Sequence, residues 1–93
     1  MSQRHVVIGS SVGLHARPAA LFVQAASRQP VKVTISKVGA DPREPVDARS
    51  ILSVLALDAR NGDEVVLAAH GDGDESALAE LAALLERDLD AEP

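Results

Sequence analysis

The sequence contains no cysteine, no tryptophan and no tyrosine, and its single phenylalanine is Phe22. Without cysteine there is no disulfide framework, no thiolate metal site and no cysteine nucleophile. The three histidines (His5, His15 and His70) lack the i, i+3 or i, i+4 spacing of metal ligands, so we expect neither a metal nor another cofactor. Scarce aromatic side chains and a net charge of −5 argue against a nucleic-acid partner.

Long hydrophobic runs are missing as well. No apolar stretch approaches the roughly 20 residues that a membrane-spanning helix needs. The apolar stretch of the N-terminal segment, which ends at Ile8, is too short for a signal peptide. We therefore expect a cytoplasmic protein that does not insert into membranes. Its 93 residues, 46% hydrophobic and 25% charged, predict a single compact domain over residues 1–93.

Charge is unevenly distributed along the chain. Residues 1–60 contain eight Lys and Arg against four Asp and Glu, a net charge of +4. Residues 61–93 contain one Arg against ten Asp and Glu, a net charge of −9. Such a division is typical either of a positive face for an acidic partner or of a solvated acidic helix beside scattered arginines. Charge alone favours the second interpretation.

Apolar patterning predicts four strands. The first covers residues 3–8, and the second covers residues 31–37, where apolar and polar residues alternate. A short edge strand is expected near residues 45–46, because the surrounding prolines and glycine favour a turn. The continuous apolar run in residues 64–69 indicates a central strand.

Three helices complete the prediction. The first has Pro18 in its first turn, where the missing N–H costs nothing. The second covers residues 48–57, with Asp47 as its N-cap and Ser50 in its first turn. The third begins near Glu75 and has a stripe of four leucines at helical spacing, Leu78, Leu81, Leu85 and Leu89. The order β-α-β-β-α-β-α predicts an α+β sandwich with the helices on one face of the sheet.

Residues 13–19, Gly-Leu-His-Ala-Arg-Pro-Ala, place His15 at the start of the first helix. The first N–H groups of a helix are unpaired, and its positive dipole end favours anions over an imidazolium. We therefore expect a neutral, nucleophilic imidazole near pH 7. A phosphoryl group on His15 would face those N–H groups, and Arg17 is close enough in sequence to reach the same oxygens. An isolated histidine here is usually only exposed or capping, but seven coinciding positions favour a functional site.

This segment resembles the phosphorylation-site signature of the histidine-containing phosphocarrier family, HPr, of the bacterial sugar phosphotransferase system. Residues 47–57 are similar to the regulatory-serine segment of that family, and the similarity extends through the Asn61-Gly62 turn to the terminal helix. The resemblance covers essentially the whole chain. It implies an HPr-like open-faced β-sandwich, in which a four-stranded antiparallel sheet carries three helices on one face.

The resemblance also implies a function. Family members accept a phosphoryl group on the Nδ1 atom of the histidine that matches His15. The donor is Enzyme I, charged by phosphoenolpyruvate, and the acceptor is the IIA domain of a sugar permease. Arg17 matches the arginine that neutralises the phosphoryl oxygens. Such a protein is a carrier rather than an enzyme, and we expect a monomer.

Partner contacts follow from the same resemblance. The residues matched to those that contact Enzyme I and IIA are Ala16, Ala20, Ile51, Leu52 and Leu55. A short helix cannot bury all the apolar side chains in this region, which independently indicates an exposed docking surface.

Ser50 is a candidate regulatory phosphorylation site through the same resemblance. In some bacteria a dedicated HPr kinase phosphorylates the matching serine, which adds that kinase and transcription regulators to the expected partners. From the residues alone, Ser50 is an ordinary polar residue near a helix start.

Three alternatives remain. Some relatives keep the fold and the serine without the histidine and act only as regulatory binding modules. A carrier for a nitrogen-related or dihydroxyacetone branch would have the same motif. A small-molecule-binding α+β domain would need a closed apolar pocket.

Three features depart from the usual HPr pattern. The segment of residues 37–47 is longer than in typical members. Val12 stands where many members have a small polar residue that helps to orient the histidine, a role for which Ser10 and Ser11 are the neighbouring candidates. Asp58 follows the second helix where many members have glycine.

Overall fold

The computed structural model describes residues 2–38 and 45–87. Within these residues the chain forms four strands and three helices in the predicted order. They are β1 (Ser2–Val7), α1 (Ala16–Ser27), β2 (Val33–Lys37), β3 (Val46–Asp47), α2 (Ile51–Ala56), β4 (Glu64–Ala69) and α3 (Asp74–Glu86). The α+β class and the element order are confirmed.

The four described strands form one antiparallel sheet in the order β1-β4-β2-β3. β4 is central, as its apolar run predicted, and pairs with β1 from Ser2↔Ala69 to Val7↔Glu64. Its other edge pairs with β2 from Val33↔Ala69 to Lys37↔Val65. This topology brings the loop after β1 and the loop before β4 together at one end of the sheet.

The core lies between the sheet and the helices. Val65, Leu67 and Ala69 of β4 are buried and alternate with half-buried residues, so one face of the strand is covered. From the helices, Phe22 of α1 is fully buried, and the predicted stripe of α3 buries Leu78, Leu81 and Leu85. The fourth leucine of that stripe, Leu89, and most of the long 37–47 segment lie outside the described residues.

The predicted start of the second helix is wrong. α2 covers Ile51–Ala56, and its N-cap is Ser50 rather than Asp47. Asp47 belongs instead to β3, where it pairs with Thr34, and the next backbone amide donates to the Val33 carbonyl at 3.0 Å. Because this strand pairing keeps the chain extended, the helix begins later, and Ser50 lies at the cap rather than within the first turn.

Candidate functional site

His15 stands at the junction between the β1–α1 loop and α1. It is the N-cap of this 12-residue helix in an extended conformation (φ −133°, ψ 168°), and its side chain is 38% exposed. The next residue, Ala16, has φ +49°, in the left-handed region that non-glycine residues rarely adopt. Pro18 lies in the first turn, as predicted. The imidazole therefore sits at the surface directly beside a helix start.

The loop before His15 is packed against the loop after α2. Leu14 is 1% exposed, and its amide donates to the Ala59 carbonyl at 2.8 Å. Gly13 has φ +76°, and a Cβ there would lie 2.6 Å from the Ala59 carbonyl oxygen and 2.8 Å from the Cα of Arg60. Glycine is therefore required both by the turn and by the close approach of the two loops.

Asp58 projects from this second loop toward His15. Its Oδ1 atom lies 3.1 Å from Nε2 of His15, and its Oδ2 atom accepts a hydrogen bond from the Arg60 guanidinium at 3.1 Å. The Asp58 carbonyl accepts from Nζ of Lys37, also at 3.1 Å. Asp58 has φ +52°, so the chain turns sharply after α2 even without a glycine, in a conformation that aspartate tolerates better than most residues.

The charges around His15 favour an ionised carboxylate. The Arg60 guanidinium lowers the pKa of Asp58 first by its hydrogen bond and then by its charge, and the hydrogen bond to His15 lowers it further. The pKa of nearby Asp63 is also lowered, chiefly because its carboxylate accepts from the Arg60 backbone amide at 2.9 Å. His15 thus faces a carboxylate that is negatively charged at neutral pH.

Arg17 lies two residues after His15, exposed in the first turn of α1. Within residues 2–38 and 45–87 its side chain makes no hydrogen bond or ion pair. Because the guanidinium has no structural partner among these residues, it is available to bind an anion at the start of α1.

The predicted partner residues lie on two helices that pack against each other, α1 and α2. We call them the docking patch; its members are Ala16, Ala20, Ile51, Leu52 and Leu55. Leu52 is 78% exposed and Ile51 is 40% exposed, while Leu55 is half-buried against the core. The remaining apolar residues of this region, Val54 and Leu57, are buried. The prediction that the region is divided between core and surface is confirmed.

Ser50 is half-buried at the start of the same helix. Its Oγ atom accepts from the Ser53 amide at 3.4 Å. The neighbouring Arg49 is held by Asp47, whose carboxylate accepts from the Arg49 amide and guanidinium at distances from 2.9 to 3.1 Å. Ser50 is thus directly adjacent to the docking patch.

Three further features of the described residues bear on other classes of site. No group of three or more His, Cys, Asp or Glu residues in the described ranges is arranged to hold a metal ion. None of the helices in those same ranges has the length and apolar character needed to cross a membrane. A depression of about 370 Å³ near Thr34 and Ala68 opens to solvent, unlike the closed pocket that the small-molecule alternative predicts.

Sequence comparison places these features in a family. The sequence profile described as "PTS HPr component phosphorylation site" matches residues 2–87. The phosphocarrier protein HPr of Streptomyces coelicolor is 46% identical over 93 residues, which cover 100% of this chain and 97% of that protein. The chain belongs to the HPr family.

Solved structures of HPr relatives have the same fold. The HPr-C-His structure from Thermoanaerobacter tengcongensis is similar at a TM-score of 0.85 and 35% identity, with 100% of both chains covered. The Bacillus subtilis catabolite repression protein Crh is similar at a TM-score of 0.68 and 41% identity, covering 92% of this chain and 94% of that one. The Crh structure is described as a domain-swapped dimer. The predicted HPr-like open-faced sandwich is confirmed.

Sequence reasoning missed the contact between Asp58 and His15. In the sequence Asp58 is only a departure from glycine at a helix end, and no spacing rule relates two residues 43 positions apart. The available signal was chemical: a carboxylate replaces glycine at the end of the helix that carries the docking patch. Neither Ser10, which is buried, nor Ser11 supplies the hydrogen bond that the structure shows on the His15 ring.

Proposed function

We propose that this HPr-family protein is a cytoplasmic phosphocarrier that accepts a phosphoryl group on Nδ1 of His15 from phospho-Enzyme I and passes it to IIA domains. One observation supports this most strongly: α1 begins with an exposed imidazole, has Arg17 in its first turn without a side-chain partner among the described residues, and packs against the helix that exposes Ile51 and Leu52. A reactive group and a docking surface are the two parts that transfer between proteins requires.

Phosphoryl transfer to His15 is an in-line displacement. The Nδ1 lone pair forms a bond to phosphorus while the phosphorus–nitrogen bond on the donor histidine breaks and its electron pair returns to the donor ring. The phosphoryl oxygens then face the unpaired amides of the first turn of α1 and the guanidinium of Arg17. The reverse displacement delivers the group to the next protein. The chain is therefore a reactant that is regenerated, rather than an enzyme.

The docking patch explains how the partners reach His15. Leu52 projects into solvent and provides an apolar centre, while the exposed Arg17 on the adjoining helix would attract an acidic partner surface. Such encounters are brief and steered by charge, as a carrier with two partners requires. Since both partners use the patch, we propose that the active form is a monomer in which it is free.

A regulatory role is the second candidate function. The similarity to Crh and the position of Ser50 beside Ile51 and Leu52 support it. A phosphate on Ser50 would place about two negative charges at the edge of the docking patch and so change which proteins bind there. A purely regulatory module does not need His15, and the two roles are therefore separable.

A two-step relay tests the carrier function. The protein phosphorylated by Enzyme I is purified away from it and mixed with a IIA domain, and intact mass follows both proteins. We expect the phosphoryl group to leave the carrier and appear on the IIA domain. Retention of the group with every IIA domain tried would contradict the carrier function. Full cellular function of a His15→Ala protein would favour the regulatory module. Capture of partners from cells then distinguishes sugar uptake from a nitrogen-related or dihydroxyacetone branch.

A further inference from the structure

The Asp58 carboxylate constrains where the proton of the His15 ring can be. An ionised carboxylate only accepts hydrogen bonds, and the pKa of Asp58 is lowered by Arg60. A hydrogen bond across the 3.1 Å between Oδ1 and Nε2 therefore requires a proton on Nε2. In a neutral imidazole, the other nitrogen then has the free lone pair. The contact selects the form of His15 whose nucleophilic atom is Nδ1.

The fold, and not only the two side chains, maintains this arrangement. The Leu14 amide binds the Ala59 carbonyl, so the residues next to His15 and Asp58 are joined directly. Lys37 binds the Asp58 carbonyl, and Arg60 binds the second carboxylate oxygen. The carboxylate is therefore held at its second oxygen as well as through its own backbone.

The same contact also protects Nε2 from reaction. A negatively charged carboxylate beside this nitrogen occupies the approach of a phosphoryl donor and repels its oxygens. The Nδ1 atom has no such contact within the part of the chain that the structure describes. Asp58 thus separates the two ring nitrogens into one that holds a proton and one that reacts.

We propose that Asp58 is a positioning residue for phosphoryl transfer, which keeps the proton on Nε2 of His15 and directs the Nδ1 lone pair to the donor. This inference rests on the proposed carrier function and adds the group that sets its regiochemistry. As the bond from Nδ1 to phosphorus forms, the donor's nitrogen recovers its electron pair and the Nε2 proton stays in place. The positive charge that the ring gains then faces the Asp58 carboxylate.

Two substitutions isolate the carboxylate. Asp58→Gly removes it, and glycine adopts the φ of +52° without strain, so the turn is retained. Asp58→Asn keeps an acceptor oxygen and tolerance of that conformation but removes the charge. Asp58→Gly also frees the Arg60 guanidinium from its hydrogen bond to Asp58. Arg60→Gln, alone and combined with Asp58→Gly, shows whether this freed guanidinium contributes to the change at the His15 ring. Glu64→Gln is the matched control, because Glu64 also contacts a histidine, His5, on the sheet.

The first measurement reads the position of the proton directly. Long-range ¹H–¹⁵N NMR of the His15 ring gives the ratio of the Nε2–H to the Nδ1–H form. We expect Asp58→Gly to lower this ratio about two- to five-fold, the range expected for a solvent-exposed charged contact. Asp58→Asn should lower it less, and Glu64→Gln should leave it unchanged. A merely structural role for Asp58 would not change this ratio.

The second measurement uses phosphoramidate, a small phosphoryl donor that needs no docking patch. ³¹P NMR then distinguishes phosphoryl groups on Nδ1 from those on Nε2. We expect the unmodified protein to react at Nδ1 and Asp58→Gly to give an increased share at Nε2. An unchanged tautomer ratio and an unchanged site of reaction in folded Asp58→Gly would overturn the proposal. If that variant does not fold, Asp58→Asn provides the same test.

These outcomes are separable from those of the proposed function, because neither measurement uses a partner protein. An Asp58-dependent tautomer ratio supports the positioning role whether or not Enzyme I phosphorylates the protein. Failure with Enzyme I alone would contradict only the carrier function.

Discussion

The hydroxyl oxygen of Ser50 accepts a hydrogen bond from the Ser53 amide at 3.4 Å and thereby caps the helix that presents Ile51 and Leu52. The candidate regulatory side chain is consequently also a structural one. A negative charge at this position acts on the docking patch, whereas loss of the cap acts on α2 itself.

Aspartate and asparagine at position 50 separate these two effects. Both residues cap helices well, so neither substitution should unfold α2. We expect Ser50→Asp to slow phosphoryl transfer from Enzyme I by at least about five-fold, because the charge opposes docking to an acidic partner. Ser50→Asn should transfer at nearly the normal rate. Equal slowing of both variants in a kinetic assay would indicate that charge is not the cause.

The exposed side chain of Leu52 provides a test of docking. We expect Leu52→Ala to raise the KM for phosphorylation by Enzyme I about ten-fold, since a central apolar contact contributes more than about 1 kcal/mol to binding. The free energy of unfolding should hardly change, because the side chain is 78% exposed. Val7→Ala is the control, an exposed apolar residue in β1 outside the docking patch. Equal KM values for the two variants would show that Leu52 does not contribute to binding Enzyme I.

Arg17 is expected to act on the phosphoryl group and not on the fold. Arg17→Gln should lower the rate constant of transfer about ten-fold or more, because a charge-assisted hydrogen bond contributes roughly 1.5 kcal/mol or more. The melting temperature should stay the same, as Arg17 has no side-chain partner among the described residues. Arg28→Gln, at the other end of α1, removes the same charge from a distant position. Similar rates in both variants would argue against a role for Arg17.

The Asp63 carboxylate predicts a pH-dependent contribution to stability. Its pKa in the folded protein is lowered, chiefly because it accepts from the Arg60 amide. The stability it contributes is therefore present above the unfolded-state pKa, about 3.9, and is lost as the pH falls through the lower folded-state value. Asp63→Ala should reduce the free energy of unfolding at pH 7 by about 0.5–1 kcal/mol, a modest value because the side chain is 35% exposed.

Urea unfolding at pH 7 and at about pH 2.5 measures this contribution. The difference between the Asp63→Ala variant and the unmodified protein should shrink at the lower pH. Asp72→Ala removes an exposed carboxylate and should have little effect at either pH. A loss of equal size at both values of pH would show that the charge of Asp63 is not responsible.

Much of the fold follows from local patterns in the sequence. The apolar run of β4 indicated its central place, and the stripe from Leu78 to Leu85 indicated the buried face of α3. Both patterns depend on the period of the element itself. The start of α2 was wrong because Asp47 has the chemistry of an N-cap but is drawn into β3 by pairing with Thr34. Such non-local pairing overrides a local preference.

The candidate site also has a part that local sequence predicts and a part that depends on tertiary structure. His15 and Arg17 were recognised because they lie together in one short motif, although their roles stay predictions. The contact of the Asp58 carboxylate with His15 cannot be recognised in this way. It forms only when the loop before His15 packs against the loop after α2, where the two loops approach closely at Gly13. A contact of this kind depends on tertiary structure.

Phosphorylation by phosphoenolpyruvate and purified Enzyme I tests the central claim most directly. Intact mass is recorded for the protein and for its His15→Ala variant, with and without brief exposure to acid. We expect one acid-labile phosphoryl adduct on the unmodified protein and none on the variant. An adduct that persists in folded His15→Ala, or no adduct with Enzyme I from several sources, would contradict the assignment of His15 as the phosphoryl-accepting residue.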